Sequence, residues 1–202
     1  MALKELSVPI DVSVVPADVR ALLLDADERI DRHIHDQSAN SPFGFVPSDF
    51  ERVYAALWHI NEYRLAPGPT LIEWGSGFGI VAAMATGLDF EAYGIEIDHG
   101  LVEAAEAFSA DHERPAVFAR GSFIPTDCEE LTDAIPDSNW LTTGPSGYPE
   151  LGLEPDDFDV VYVYPWPGEE DVVSGLFEHI SAEGTLLVTY HGMEDIRVRR
   201  KT

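Results

Sequence analysis

Two lysines and one cysteine are all that the 202-residue chain holds of either residue type. The lone Cys128 excludes an internal disulfide framework and leaves no partner for a cysteine zinc site. Long apolar runs are missing as well. No stretch of about eighteen uninterrupted apolar residues occurs, so no segment reads as a membrane span. The opening MALKELSVPIDVSVV has no basic segment followed by an apolar core, unlike a secretory signal. A soluble cytoplasmic protein without membrane contact is the resulting expectation. Positive charge is scarce overall: 12 Lys and Arg face 37 Asp and Glu, a formal net charge of −25. Such a field repels phosphate backbones and disfavours nucleic acid as a partner. The one basic cluster, Arg197, Arg199, Arg200 and Lys201, reads as a solvated terminus rather than a binding patch. The acidity fits a saline habitat and an acidic mesophile protein equally well.

Against these absences stands an ordinary hydrophobic fraction of 45%, enough for one domain with a sizeable core. Its patterning begins with helices. Residues 16–37 place Val19, Leu22, Leu23, Ala26 and Ile30 on one helical face. His33 and His35 lie on that helix two positions apart, about 200° around the axis, and so cannot share a metal ion. SANSPFGFVP is a loop, and Ser48-Asp49-Phe50-Glu51 reads as a capping box opening a second helix to about Tyr63. Ala66-Pro67-Gly68-Pro69 ends it.

From Thr70 strands alternate with helices. Strands are expected at Leu71 to Trp74, Phe90 to Ile97, Val117 to Arg120, Phe158 to Tyr164 and Thr185 to Tyr190. Helices are expected at Ile80 to Thr86, Leu101 to His112 and Glu169 to Ile180, with Asp98 as the N-cap of the middle one and His99 exposed beside it. This alternation predicts an α/β fold, a doubly wound and mostly parallel sheet with helices on both faces. Residues 125–157 break the rhythm with five prolines and only a weak helical piece near Cys128 to Ala134. Long insertions of this kind are surface excursions or binding loops. Trp140 and Tyr148, read as exposed aromatics, lean towards binding.

The densest signal is TLIEWGSGFGIVAAM, residues 70–84, with Gly75, Gly77 and Gly79 at alternate positions between a strand and a helix. A strand-to-helix turn needs one such residue. Three imply main chain that approaches a ligand at the carboxyl edge of the sheet, where such sheets bind. A dinucleotide fingerprint, G-x-G-x-x-G, would place its third glycine at position 80, which is Ile80. The form E-x-G-x-G-x-G resembles motif I of the class I S-adenosylmethionine-dependent methyltransferases. Glu96, in AYGIEID, stands 21 residues after Gly75 and matches the acidic motif that ends the second strand in that family.

The resemblance covers roughly residues 48–190 and implies a Rossmann-like three-layer αβα fold with S-adenosylmethionine as cofactor. It implies that Gly75, Ser76, Gly77 and Gly79 wrap the methionyl end and that Glu73 helps hold its amino group. Glu96 would accept both ribose hydroxyls, with Ile97 beside the adenine. Where the family often has an acid for the adenine amino group, this chain has Ser122, followed by Phe123. Tyr164 replaces the Asn or Asp that precedes the prolines in members acting on adenine or glutamine, which argues against those acceptors. Tyr164-Pro165-Trp166-Pro167 either flanks the transferred methyl or simply ends a buried strand. The pre-motif segment FVPSDFERVYAALWHI is also similar to that of small lysine methyltransferases. The family usually finishes with two further strands as an antiparallel hairpin. Here twelve residues follow Tyr190, room for one strand around Ile196 to Arg199, so the sheet is expected to be abbreviated at its C-terminus.

The expected organisation is therefore one methyltransferase-like domain over 1–202, with an N-terminal helical extension, 1–47, and a core, 48–202, carrying the loop 125–157. The resemblance implies methyl transfer to an unidentified protein side chain or small molecule, with no metal. Tyr164 and His191 face the right edge to serve as a base, but no motif assigns a catalytic residue. Two rivals stand beside this reading: a non-catalytic S-adenosylmethionine-binding module and an NAD-binding oxidoreductase. Oligomeric state is open.

Overall fold

The alternation from Thr70 onwards folds as its periodicity dictates, into a sheet of seven strands. The computed structural model describes residues 2–37, 46–131, 141–193 and 195–202. In chain order the N-terminal elements are β1 (Leu3–Leu6), α1 (Ala17–Gln37) and α2 (Phe50–Glu62). The core then runs β2 (Thr70–Trp74), α3 (Ile80–Thr86), β3 (Glu91–Glu96), α4 (His99–Asp111) and β4 (Val117–Arg120). It continues with α5 (Tyr148–Leu151), β5 (Val160–Val163), α6 (Glu170–Ile180), β6 (Leu186–Tyr190) and β7 (Ile196–Lys201). The sheet order is β1-β7-β6-β5-β2-β3-β4. The five strands from β4 to β6 are parallel, whereas β7 runs antiparallel to both of its neighbours.

Side-chain alternation along the strands divides the core into two layers. Leu71, Val160, Tyr162, Leu186 and Val188 face α1 to α4. Ile72, Trp74, Val161, Val163 and Leu187 face α6 and the segment around Tyr148. The five residues expected on one face of α1 are all buried there.

Several expectations change. Only one strand follows β6, as expected, yet the sheet is not left short. The N-terminal segment, read as helical, also supplies β1, which pairs with β7 from Leu3 opposite Lys201 to Leu6 opposite Val198. The basic cluster is consequently no solvated tail. It forms β7, with Val198 in the core, Arg199 donating to Ser174 Oγ at 3.0 Å and Arg200 donating to the Leu65 carbonyl at 2.6 Å. Lys201, 4% exposed, donates its ammonium to the Ser181 carbonyl. Arginine and lysine side chains can line an inner strand in this way because their apolar stems cover the sheet while their heads reach main-chain acceptors.

The N-cap of α2 is Asp49, whose carboxylate accepts from Arg52 N–H at 3.2 Å. Ser48 is instead hydrogen-bonded to the Tyr162 hydroxyl at 2.6 Å, so the expected capping box does not form. Tyr148 is buried in the second core layer rather than exposed. The helical piece near Cys128 is a 3-10 turn, Thr126–Leu131. Ala134, Trp140 and residues 38–45 of the expected loop SANSPFGFVP lie outside the described residues.

Candidate functional site

A cleft of ≈ 560 Å³ opens at the carboxyl edge of β2, β3, β4 and β5. Chain connections from β2 and β5 diverge there, the position at which open parallel sheets hold ligands. The glycine loop forms one wall. Gly75, Gly77 and Gly79 have φ of 65°, 52° and 66°, a region that favours glycine. At Gly75 an added Cβ would meet no atom within 4 Å, so main chain is presented to open space. At Gly79 the reason is packing: a Cβ would run into the Phe118 ring and stand 2.9 Å from Ala105 Cβ. The loop is held to the sheet by Gly75 and Ser76, whose N–H groups donate to the Ile95 carbonyl at 2.9 and 3.0 Å.

Glu96 ends β3 in the same wall. Its carboxylate accepts from Gly77 N–H and from Asp98 N–H, each at 2.9 Å. Two of its lone-pair positions are thereby used, leaving the others for donors in the cleft. Burial pushes its pKa up, while the N–H groups of Asp98 and Gly77 oppose the shift. Glu73 is different. It is absent from the cleft wall and accepts from Ala82 N–H at 2.9 Å, capping the start of α3. Full burial drives its pKa up to about 8, against the opposing hydrogen bond from Ala82.

Of the candidate residues, Gly75, Gly77, Glu96, Ile97, Ser122, Phe123 and Tyr164 therefore share one cleft. Glu73, Ser76 and Gly79 do not reach it. Ser76 is buried behind the loop, and its Oγ has no hydrogen-bond partner among the described residues. Ser122 cannot simply replace an adenine-binding acid, because its Oγ already donates to the Thr142 carbonyl at 2.8 Å and accepts from Ile124 N–H at 3.1 Å. Those bonds bring the long insertion back over the site, where Leu141 and Thr142 join the wall. His191 is hydrogen-bonded to Thr189 at 2.7 Å and is not part of the wall.

Three contributions were not anticipated. Trp74 stacks on Phe123, with ring centroids 5.1 Å apart and an interplanar angle of 7°, and closes the floor. His33 of α1 reaches the rim, its ring edge-on to Phe78 of the glycine loop at 5.0 Å. Glu169, after the Tyr-Pro-Trp-Pro turn, lies in the wall almost completely buried. The only sequence signal for Glu169 was an acid at the head of a helix, which usually serves the helix alone.

No family model matches the chain, and no curated protein matches it in sequence. Solved structures do. An RNA methyltransferase from Salinibacter ruber, in complex with S-adenosyl-L-homocysteine, superposes with a TM-score of 0.52 at 17% identity, over 78% of this chain and 93% of that one. A SAM-dependent methyltransferase from Thiobacillus denitrificans, in complex with the same ligand, gives 0.44 at 16% identity, over 76% and 52%. The CcbJ methyltransferase from Streptomyces caelestis gives 0.46 at 19%, over 77% and 54%. The chain thus spans about half the length of the latter two. Identities this low speak for architecture alone. By its sheet topology and by the first of these likenesses, the chain has the fold of the class I S-adenosylmethionine-dependent methyltransferases.

Proposed function

We propose that the protein is an S-adenosylmethionine-dependent methyltransferase acting on a protein side chain or small molecule. The observation that carries this reading is Glu96, anchored by Gly77 N–H and Asp98 N–H at the lip of the cleft. A buried, doubly anchored carboxylate beside exposed glycine main chain suits a ligand with neighbouring hydroxyls. The cleft volume lies within the roughly 300–1,000 Å³ usual for small-molecule sites.

S-adenosylmethionine, when bound, supplies an activated methyl group on a sulfonium. Glu96 would hold its ribose, Ile97 and Phe123 would flank its adenine, and the main chain at Gly75 and Gly77 would take its methionyl end. Tyr164 and Trp166 offer aromatic faces that favour a cation. Trp74, Phe123 and Val163 exclude water from the floor.

The oxidoreductase alternative is disfavoured by Glu73. A pyrophosphate needs the positive start of the helix after the first strand, and here a protein carboxyl already caps it at Ala82. The non-catalytic alternative keeps the cofactor and loses turnover. Calorimetric titration with S-adenosylhomocysteine and, separately, NAD tests the proposal. Micromolar binding of the first alone supports it, and NAD binding in its place overturns it. Formation of S-adenosylhomocysteine from S-adenosylmethionine on addition of an acceptor then separates enzyme from binding module.

A further inference from the structure

Across β2 from Glu96, on the β5 side of the cleft, stands the second buried carboxyl of the wall. Glu169 is 6% exposed, and its Oε1 meets no hydrogen-bond donor among the described residues. The main-chain N–H groups of Trp166 and Leu141 lie against the same carboxyl and partly offset the upward push of burial on its pKa. A buried carboxylate oxygen without a partner is costly to keep unless something arrives to pair with it. No described residue of the wall hydrogen-bonds Oε1. The wall holds three carboxylates, Glu96, Asp98 and Glu169, and no lysine or arginine among the described residues. Together with a net charge of −25, that composition repels phosphate- and carboxylate-bearing molecules and attracts cations. Beside Glu169 the wall is aromatic and apolar, with Tyr164, Trp166, Leu141 and Val173. Aromatic faces add attraction for a cation, and most of all for one already desolvated.

We propose that Glu169 is the acceptor-binding group of this cleft and that the acceptor is an amine, which enters as its ammonium ion. The inference rests on the methyltransferase reading and gives that reading a substrate class. An ammonium nitrogen has no free electron pair and cannot accept a methyl group. Transfer of one proton from nitrogen to the Glu169 carboxyl breaks an N–H bond, forms an O–H bond and leaves the electron pair on nitrogen, which is the form an acceptor requires. A carboxyl whose pKa is raised by burial is suited to holding that proton. The competing role for Glu169 is structural, a tie between Leu141 and Trp166.

Calorimetric titration of benzylamine, butylamine and benzyl alcohol into the protein saturated with S-adenosylhomocysteine separates these roles. Benzylamine and benzyl alcohol share size and apolar character but not charge, and butylamine keeps the charge without the ring. The amines should bind at least about tenfold more tightly than the alcohol. Glu169→Gln, which keeps an oxygen for the N–H groups of Trp166 and Leu141, should weaken amine binding about ten- to a hundredfold, the usual range for a lost charge-assisted hydrogen bond. Its affinity for S-adenosylhomocysteine should be unchanged and its thermal midpoint no lower than that of the wild type. Equal binding of amine and alcohol, absence of amine binding, or amine binding untouched by Glu169→Gln would each overturn the proposal. A wild-type protein that takes no S-adenosylhomocysteine would overturn the methyltransferase reading itself, so the two failures are distinguishable.

Discussion

Gly77 donates its main-chain N–H to Glu96 Oε2 across 2.9 Å, joining the loop after β2 to the end of β3. The acid therefore shapes the cofactor cleft as well as offering it a charge. Glu96→Gln should weaken S-adenosylhomocysteine binding about tenfold and Glu96→Ala up to about a hundredfold, as charge-assisted hydrogen bonds to a buried carboxylate disappear. Calorimetry reads the affinities, and circular dichroism checks that the fold persists. Unchanged affinity in Glu96→Ala would remove Glu96 from the cofactor site.

Two glycines two positions from Gly77 on either side should fail in different ways. Both have positive φ, which costs a side-chain-bearing residue about 1–2 kcal/mol. Gly75 faces open cleft, so Gly75→Ala should lose about that much stability while sharply weakening S-adenosylhomocysteine binding. Gly79 faces Phe118 and Ala105. Overpacking adds a further 1–3 kcal/mol or so, and Gly79→Ala should lose about 2–5 kcal/mol in urea unfolding. A larger stability loss at position 75 than at 79 would reverse the roles assigned here.

Much of this arrangement is legible in the sequence. The alternation of apolar strands and amphipathic helices is a local signal, and it located the five parallel strands within a residue or two. Glu96 was legible because its spacing from the glycine loop is set by one β-α-β unit. Glu73 was legible as a motif but not in its task, since whether a strand-end acid turns to the ligand or to the helix depends on the side of the pleat. Residue parity put Glu73 at the start of α3 and Trp74 in the floor of the cleft. The pairing of β1 with β7 was not legible. It joins positions nearly 200 apart in sequence, and four-residue β1 has no alternation strong enough to announce itself. The basic run misled for the related reason that charge patterns with solvent only on average, while Lys201 finds a buried carbonyl at Ser181.

Removal of residues 2–7 should show what β1 contributes. Its loss would remove Leu3 and Leu6, partly buried against the two core layers, and move the sheet edge from four-residue β1 to six-residue β7. Exposed edges invite pairing with other chains. The truncated protein should melt several degrees lower and self-associate in sedimentation. An unchanged midpoint would mean that β7 is held by β6 and its side-chain anchors at Ser174, Ser181 and Leu65 alone.

Glu73 makes a prediction about pH whose sign follows from burial. Its pKa is about 8 in the fold against a reference value of 4.5. Between those values the unfolded chain has released this proton while the folded protein retains it. The unfolded state then binds fewer protons, so stability contributed by the neutral carboxyl is full below pH 4.5 and is lost as pH rises towards 8. The slope from one such group is at most about 1.4 kcal/mol per pH unit. Glu73→Gln keeps an oxygen for Ala82 N–H and removes the titration. The unfolding free energy of wild type minus that of Glu73→Gln, measured by urea titration, should therefore fall steadily across this range and level off above it. The other carboxyls, Glu96 among them, titrate in both proteins and largely cancel in the difference. Parallel profiles would show that Glu73 is ionised in the folded state and caps α3 as a carboxylate.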